Sequence, residues 1–192
     1  RLLAEIRGFP KFGNDEEEVT PYTEQPGRII TDGMERVNRE EKRFHSGGFY
    51  ALYWQYKYGS RLPATPDGRL AGTPISENMS PSYGNDRSGI TALLTELSRM
   101  SLRQCTTGGL NIKFTKRIDE RLCTHLFDTF FRMGGINYAI TVVNPEDLKA
   151  AKKHPEQYQD LCVRITGYSE FFTKLPAHIQ DEIICRTEVE TV

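Results

Sequence analysis

The chain has 192 residues and a mass near 22.0 kDa, the size of one domain, or of one domain and a small part. Lys and Arg number 25 against 26 Asp and Glu, a formal net charge of −1, so no electrostatic footprint points to a nucleic acid or a membrane surface. With 38% apolar residues, 10 Phe, 9 Tyr and one Trp, the composition supports a packed core and excludes a disordered chain.

No apolar run approaches the roughly 20 residues of a membrane-spanning helix, and no charged n-region precedes an apolar h-region. Cys105, Cys123, Cys162 and Cys185 form no C-x-x-C pair and none has a His at zinc-finger spacing. The expectation is a cytoplasmic protein with reduced cysteines and no metal site. The chain begins at Arg1 rather than Met, which reads as a trimmed or processed piece.

In chain order, Arg1 to Ile6 suits a helix that Gly8, Pro10 and Gly13 break. Asn14-Asp15 reads as a helix cap before Glu16, Glu17 and Glu18, which suit a positive helix N-terminus. Residues 20–40 read as polar and turn-rich. Residues 41–60 carry Phe44, Phe49, Tyr50, Tyr53, Trp54, Tyr56 and Tyr58 with Lys57 the one Lys or Arg between Phe44 and Tyr58, so they read as core rather than as a base-stacking platform. Gly59 to Gly89 lacks periodicity and holds several Pro and Gly, the pattern of a long functional loop or linker.

Thr91 to Met100 reads as a helix, with Leu93, Leu94, Leu97 and Met100 at helical spacing. LNIKF alternates as a short strand, with Leu110, Ile112 and Phe114 on one side. Asp119 to Met133 reads as an amphipathic helix that Gly134-Gly135 stops; Leu122, Leu126, Phe127 and Phe130 form its apolar face. Residues 136–143 form a β-branched strand. Asn144 caps a helix with Pro145 in its first turn, which runs to His154-Pro155. LCVRITGYSEFF is a strand signal interrupted by Gly167, and Pro176 opens a last helix with Leu175, Ile179 and Ile183 in register. Strand and helix alternate, so the fold class is α/β.

Common catalytic signatures are absent: no G-x-x-x-x-G-K-[ST], G-x-S-x-G or H-E-x-x-H. His45, His125, His154 and His178 are scattered, and His45-Ser46 adjacency does not make a base–nucleophile pair. Asp67, Glu77 and Asp86 in the long loop suit acid–base work, but loop carboxylates more often cap turns.

Val163-Arg164-Ile165-Thr166-Gly167-Tyr168-Ser169 resembles the radical motif of the glycyl radical enzymes, the family of pyruvate formate-lyase, glycerol dehydratase and choline lyase. The family pattern runs Arg, a β-branched residue, a variable residue, Gly, an aromatic and a small residue. An aromatic, a Leu and a helix ending Gln-x-x-Ile-Ile-x-Arg-Thr follow it. Here these are Phe171 or Phe172, Leu175, Gln180, Ile183, Ile184, Arg186 and Thr187. Pro10-Lys11-Phe12-Gly13-Asn14-Asp15 resembles the family's P-K-F-G-N-D segment. Thr65-Pro66-Asp67-Gly68-Arg69 and Ser76 to Pro81 resemble its D-G-R and S-x-x-x-S-P loops, all in family order.

A backbone radical at Cα is stabilised by the flanking amide nitrogen and carbonyl in a nearly planar centre. A Cβ would crowd that plane, so Gly is its natural host. Without its surroundings Gly167 would read as a plain turn or bulge. The resemblance implies the C-terminal part of a ten-stranded α/β barrel over residues 1–103 and a glycyl radical domain over 104–192. It implies Gly167 as the catalytic radical site and Arg164, Ile165 and Tyr168 as the peptide that an activase reads. No bound cofactor is implied beyond the glycyl radical modification.

The implied partners are a radical S-adenosylmethionine activating enzyme, a cysteine-bearing N-terminal half or partner chain, and a small-molecule substrate; nucleic acid and membrane are not among them. The family's active cysteine precedes the P-K-F-G-N-D segment, so none of the four cysteines here matches it. Two other readings stand beside a radical lyase part: a small replacement module that restores a damaged enzyme's radical, and a binding domain whose motif has decayed.

Overall fold

The computed structural model describes residues 1–51, 54–100, 102, 105–114, 118–165, 168–185 and 188–189. Helix α1 (Leu2–Gly8) buries none of its residues. Helix α2 (Thr20–Glu41) leads to strand β1 (Gly47–Phe49) and helix α3 (Trp54–Gly59). Residues 60–88 form neither helix nor strand, as expected of that stretch. Helix α4 (Gly89–Arg99), strands β2 (Cys105–Gly108) and β3 (Asn111–Phe114), helix α5 (Glu120–Arg132) and strand β4 (Ala139–Val142) follow. The chain continues through helix α6 (Pro145–Lys153), strands β5 (Cys162–Arg164) and β6 (Ser169–Phe171), helix α7 (Ala177–Cys185) and strand β7 (Glu188–Val189).

Among the described residues the strands form three small sheets. β1 pairs with β2 in parallel, β3 lies between β4 and β7 with both pairings parallel, and β5 pairs with β6 antiparallel. The unit β3–α5–β4 is a helix crossover, which two parallel neighbours require. This mixture is α/β in class.

Two apolar cores hold these layers. The first gathers Leu93, Leu94 and Leu97 of α4, Leu110, Ile112 and Phe114 around β3, and Phe127 and Phe130 of α5. The second gathers Val143, Leu148 and Ala151 around α6, Val163 of β5, Phe172, and Ile179 and Ile183 of α7. Local signals account for much of this. Asp119 caps α5 by accepting from the Arg121 and Leu122 backbone N–H groups at 3.0 and 3.2 Å. Asn144 caps α6 by accepting from Glu146 N–H at 3.0 Å, with Pro145 in the first turn. Helix α4 begins at Gly89, two residues before the expected start at Thr91.

Four expectations are corrected. Asn14-Asp15 does not cap a helix: α2 starts at Thr20 after Val19, and Asn14 spends its side chain on residues 85–88. Residues 20–40 are helical, not turn-rich. Pro21 sits in the first turn, where its missing N–H costs nothing. Pro26 lies inside the helix, and burial of Thr23, Gly27 and Thr31 on one stripe facing α4 stabilises it. The aromatic segment is core only in part: Phe49 packs against the first core and Tyr56 against the second, whereas Phe44 is 81% exposed and Tyr50 and Tyr58 are exposed too. Leu122 is exposed, because the buried stripe of α5 runs through Phe127 and Phe130. Tyr53 lies outside the described residues.

Helix α3 docks through its backbone as well as through Tyr56. Gln55 is buried and its carbonyl accepts from Ile75 N–H at 3.2 Å. At Gly59 an added Cβ would lie 2.5 Å from the Thr73 carbonyl oxygen and 2.7 Å from Pro74 Cα, so no other residue fits without displacement. On the outer side Trp54 stacks on Tyr58 with ring centroids 5.5 Å apart, and Lys57 Nζ lies 4.3 Å from the Trp54 ring centroid.

Candidate functional site

Strands β5 and β6 align Cys162 with Phe171, Val163 with Glu170 and Arg164 with Ser169. One further backbone bond, Ile165 N–H to the Tyr168 carbonyl at 2.9 Å, brings the flanks of the motif together. Thr166 and Gly167 stand between those flanks in sequence and lie outside the described residues. A two-residue interval is the commonest link of an antiparallel hairpin.

Side chains alternate along β5. Val163 and Ile165 are buried, Cys162 is exposed and Arg164 is half-buried. Ile165 is only 4% exposed, whereas Tyr168 is 53% exposed. Arg164 lines two neighbouring cavities, of about 420 and 480 Å³, between this hairpin and β4. The second also reaches β1, Asn78, β2 and Asn111. The structure thus brings Arg164, Ile165 and Tyr168 to one end of the hairpin.

Three side chains that the sequence reading did not single out for this role, or missed, organise the surroundings. Asn111, at the start of β3, donates from Nδ2 to Glu77 Oε1 at 2.5 Å and to the Ile165 carbonyl at 3.2 Å. Glu77 is 3% exposed. It is a loop carboxylate that ties the loop to a strand rather than capping a turn alone. The third is Glu96 of α4, 0% exposed. Its Oε2 accepts from Gly13 N–H at 2.5 Å and Asp15 N–H at 3.2 Å, and its Oε1 accepts from the Thr23 hydroxyl at 3.0 Å. A carboxylate on the apolar stripe of Leu93, Leu94 and Leu97 was the visible signal. Asn111 offered none beyond being polar in an apolar strand.

The P-K-F-G-N-D segment wraps around that carboxylate. Asn14 Nδ2 donates to the Lys11 and Asn85 carbonyls at 3.0 and 2.7 Å, and Asn14 Oδ1 accepts from the Arg87 and Ser88 N–H groups at 2.7 and 3.1 Å. Asp15 pairs with Arg99. Gly13 has φ +103°, and a Cβ there would run into the Pro81 ring at Cγ. The segment therefore clamps α4 to the S-x-x-x-S-P loop.

The D-G-R segment is a tight structural turn. Thr65 N–H donates to the Arg69 carbonyl at 3.0 Å, the Thr65 hydroxyl donates to Asp67, and Arg69 Nη1 donates to the Thr73 carbonyl at 2.6 Å. Partial burial pushes the Asp67 carboxyl up, but Thr65, backbone N–H groups and the Arg69 charge outweigh it and leave it below its ordinary 3.8. This turn lines a cleft of about 730 Å³ with Tyr83, Arg87 and His178 of α7.

Cys105, Cys123 and Cys162 lie on three different elements. Cys105 sits half-buried on β2, where burial pushes its thiol up from 9.0; Cys123 is half-buried on α5; Cys162 is exposed. The Cys185 side chain is outside the described ones. His45 meets Glu41 at 2.9 Å, and His178 meets the Tyr56 ring edge-on at 6.3 Å. Among the described residues no three His, Cys, Asp or Glu side chains gather as a metal site, and no helix is long and apolar enough to cross a membrane.

A family model described as "glycine radical" matches residues 75–173, just over half of the chain. The chain is 35% identical over 196 residues to the probable dehydratase YbiW of Escherichia coli K12, covering 95% of this chain and 24% of that protein. It is also 35% identical over 198 residues to the 4-hydroxyphenylacetate decarboxylase glycyl radical subunit of Clostridioides difficile strain 630, covering 95% of this chain and 21% of that one. Among solved structures it is similar to the glycerol-bound B12-independent glycerol dehydratase of Clostridium butyricum. There the TM-score is 0.86 at 33% identity, over 99% of this chain and 25% of that one. The chain spans about a quarter of the length of these relatives. The radical motif lies within the matched segment, its flanks close an antiparallel hairpin, and the whole described fold superposes on a dehydratase of this kind: the chain belongs to the glycyl radical enzyme family.

Proposed function

We propose that the chain is the radical-carrying C-terminal part of a glycyl radical lyase, dehydratase or decarboxylase, storing a backbone radical on Gly167. The observation that carries this is the motif's setting: a two-residue interval holding Gly167 between strands anchored in a buried core, inside the matched segment. On this reading residues 1–103 complete a ten-stranded barrel with a segment outside this chain, and residues 104–192 are the glycyl radical domain. The similar curated proteins are named as dehydratases, sulfite-lyases and a decarboxylase subunit, which supports the reaction class.

A radical S-adenosylmethionine activase removes a hydrogen atom from the Gly167 Cα, breaking that C–H bond homolytically. Arg164, Ile165 and Tyr168 are the residues it reads, and the exposure of Tyr168 supports its part in that contact. The Gly167 radical then takes a hydrogen atom from a cysteine thiol outside this chain. The glycine C–H bond re-forms and the sulfur is left as the thiyl that attacks a small-molecule substrate. Exclusion of water and oxygen preserves the radical between turnovers.

Anaerobic co-expression with a cognate activase tests the reading. The expected result is a doublet electron paramagnetic resonance signal, absent in Gly167→Ala, and cleavage of the chain at residue 167 on admission of air. No signal and an intact chain in air, beside an activase that radicalises another substrate, would overturn it.

A further inference from the structure

We propose that Asn111, oriented by Glu77, is the positioning residue that latches the Gly167 hairpin to the sheet; the proposal rests on the reading of Gly167 as the radical carbon. An amide NH₂ has two hydrogens, and both are committed here. One goes to Glu77 Oε1 at 2.5 Å and the other to the Ile165 carbonyl at 3.2 Å. With Glu77 Oε1 as the acceptor, the nitrogen end of the Asn111 amide faces it. The second hydrogen is thereby aimed at the residue two positions before Gly167.

Glu77 is itself a fixed point. Its carbonyl accepts from Ser80 N–H at 2.7 Å, Met79 N–H donates to the Gly109 carbonyl at 3.2 Å, and Ala51 N–H donates to Asn78 Oδ1 at 2.7 Å. The loop 77–80 is thus clamped to Gly109 between β2 and β3 and to the segment after β1. Ile165 is held at both backbone groups. Its N–H bonds Tyr168 and moves with the hairpin, whereas its carbonyl bonds Asn111 and ties the hairpin to β3. Asn111 touches no reacting atom in this scheme. It holds Ile165, at the β5 flank of the motif, to β3.

The test uses Asn111→Asp, Glu77→Gln and the charge-swapped double variant. In Glu77→Gln an amide oxygen still accepts from Asn111, so the hairpin is expected to behave as in the parent. The double variant keeps one buried carboxylate and restores a 77–111 hydrogen bond, which protects folding. It provides no donor to Ile165, because an Asp carboxylate only accepts. Amide hydrogen exchange in the peptide 161–172 is expected to rise about tenfold in the double variant and in Asn111→Asp, the factor that about 1.4 kcal/mol makes. Anaerobic decay of the glycyl radical signal is expected to accelerate similarly, while the melting temperature of the double variant returns towards the parent's.

Unchanged exchange in 161–172 in the double variant would overturn the latch. So would a double variant whose exchange and radical lifetime recover together with its melting temperature, since that describes a merely structural role. Exchange is read without any radical. A parent protein that forms no radical therefore overturns the Gly167 reading, while exchange in 161–172 still decides whether Asn111 holds the hairpin.

Discussion

The two halves of the molecule are held by different means. Around the second core, residues 143–183 assemble from neighbours in sequence: a capped helix, an antiparallel strand pair and a helix opened by Pro176. Around α4, residues 10–31 and 76–99 assemble through polar links between distant segments, with Glu96 reaching 83 residues back to Gly13. The first arrangement rests on hydrophobic burial with local chain direction. The second rests on a carboxylate whose loss leaves donors bare. Damage should therefore spread differently in each.

The largest effect is expected from Phe172→Ala. Phe172 is wholly buried in the second core, and removing its ring leaves a cavity costing about 3–5 kcal/mol. Hydrogen exchange is expected to quicken over 143–185 and to stay unchanged over 10–31. Equal acceleration in both would show that the halves open as one unit. Glu96→Leu is expected to cost about 3 kcal/mol, because two backbone N–H groups and a hydroxyl lose their acceptor where water does not replace it. Urea unfolding measures the loss, and exchange should quicken over 10–31 and 89–99 first. A loss under about 1 kcal/mol would mean that apolar packing of α2 on α4 suffices.

The smallest effect concerns Asp67. Its folded pKa lies below the ordinary 3.8, so its contribution to stability is present above that value and fades as pH falls through the folded one. The stability difference between the parent and Asp67→Asn is expected to be constant near about pH 6 and to shrink below about pH 3.8. A difference that grows on acidification contradicts the sign.

The same contrast explains what the sequence made legible. Helix α6 was readable to the residue, because Asn144 and Pro145 act on their own neighbours. The radical motif was readable through its resemblance to a family pattern, but its strands were expected as one strand interrupted by Gly167 and are an antiparallel pair. Helix α2 was not: its two prolines and polar stripe argue against a helix, and what stabilises it is Thr23 meeting a carboxylate 73 residues away. Asn14 resembled a cap for the same reason, since an Asx side chain suits a helix end and a distant loop equally well. At the candidate site, Asn111 gains its meaning only from partners 34 and 54 residues distant. Polar residues whose partners lie far along the chain have no periodicity to betray them.

The sole tryptophan of the chain, Trp54, lies on α3, stacked on Tyr58 and beneath Lys57. The second core contains none. Excitation at the red edge of indole absorption therefore lights one place only, the helix docked against Thr73 to Ile75 by the close approach at Gly59. Emission should report detachment of that helix, and melting of the second core reaches it through Tyr56, which packs against that core beside His178 of α7. The molecule carries a built-in optical reporter for the helix that joins residues 73–75 to the second core.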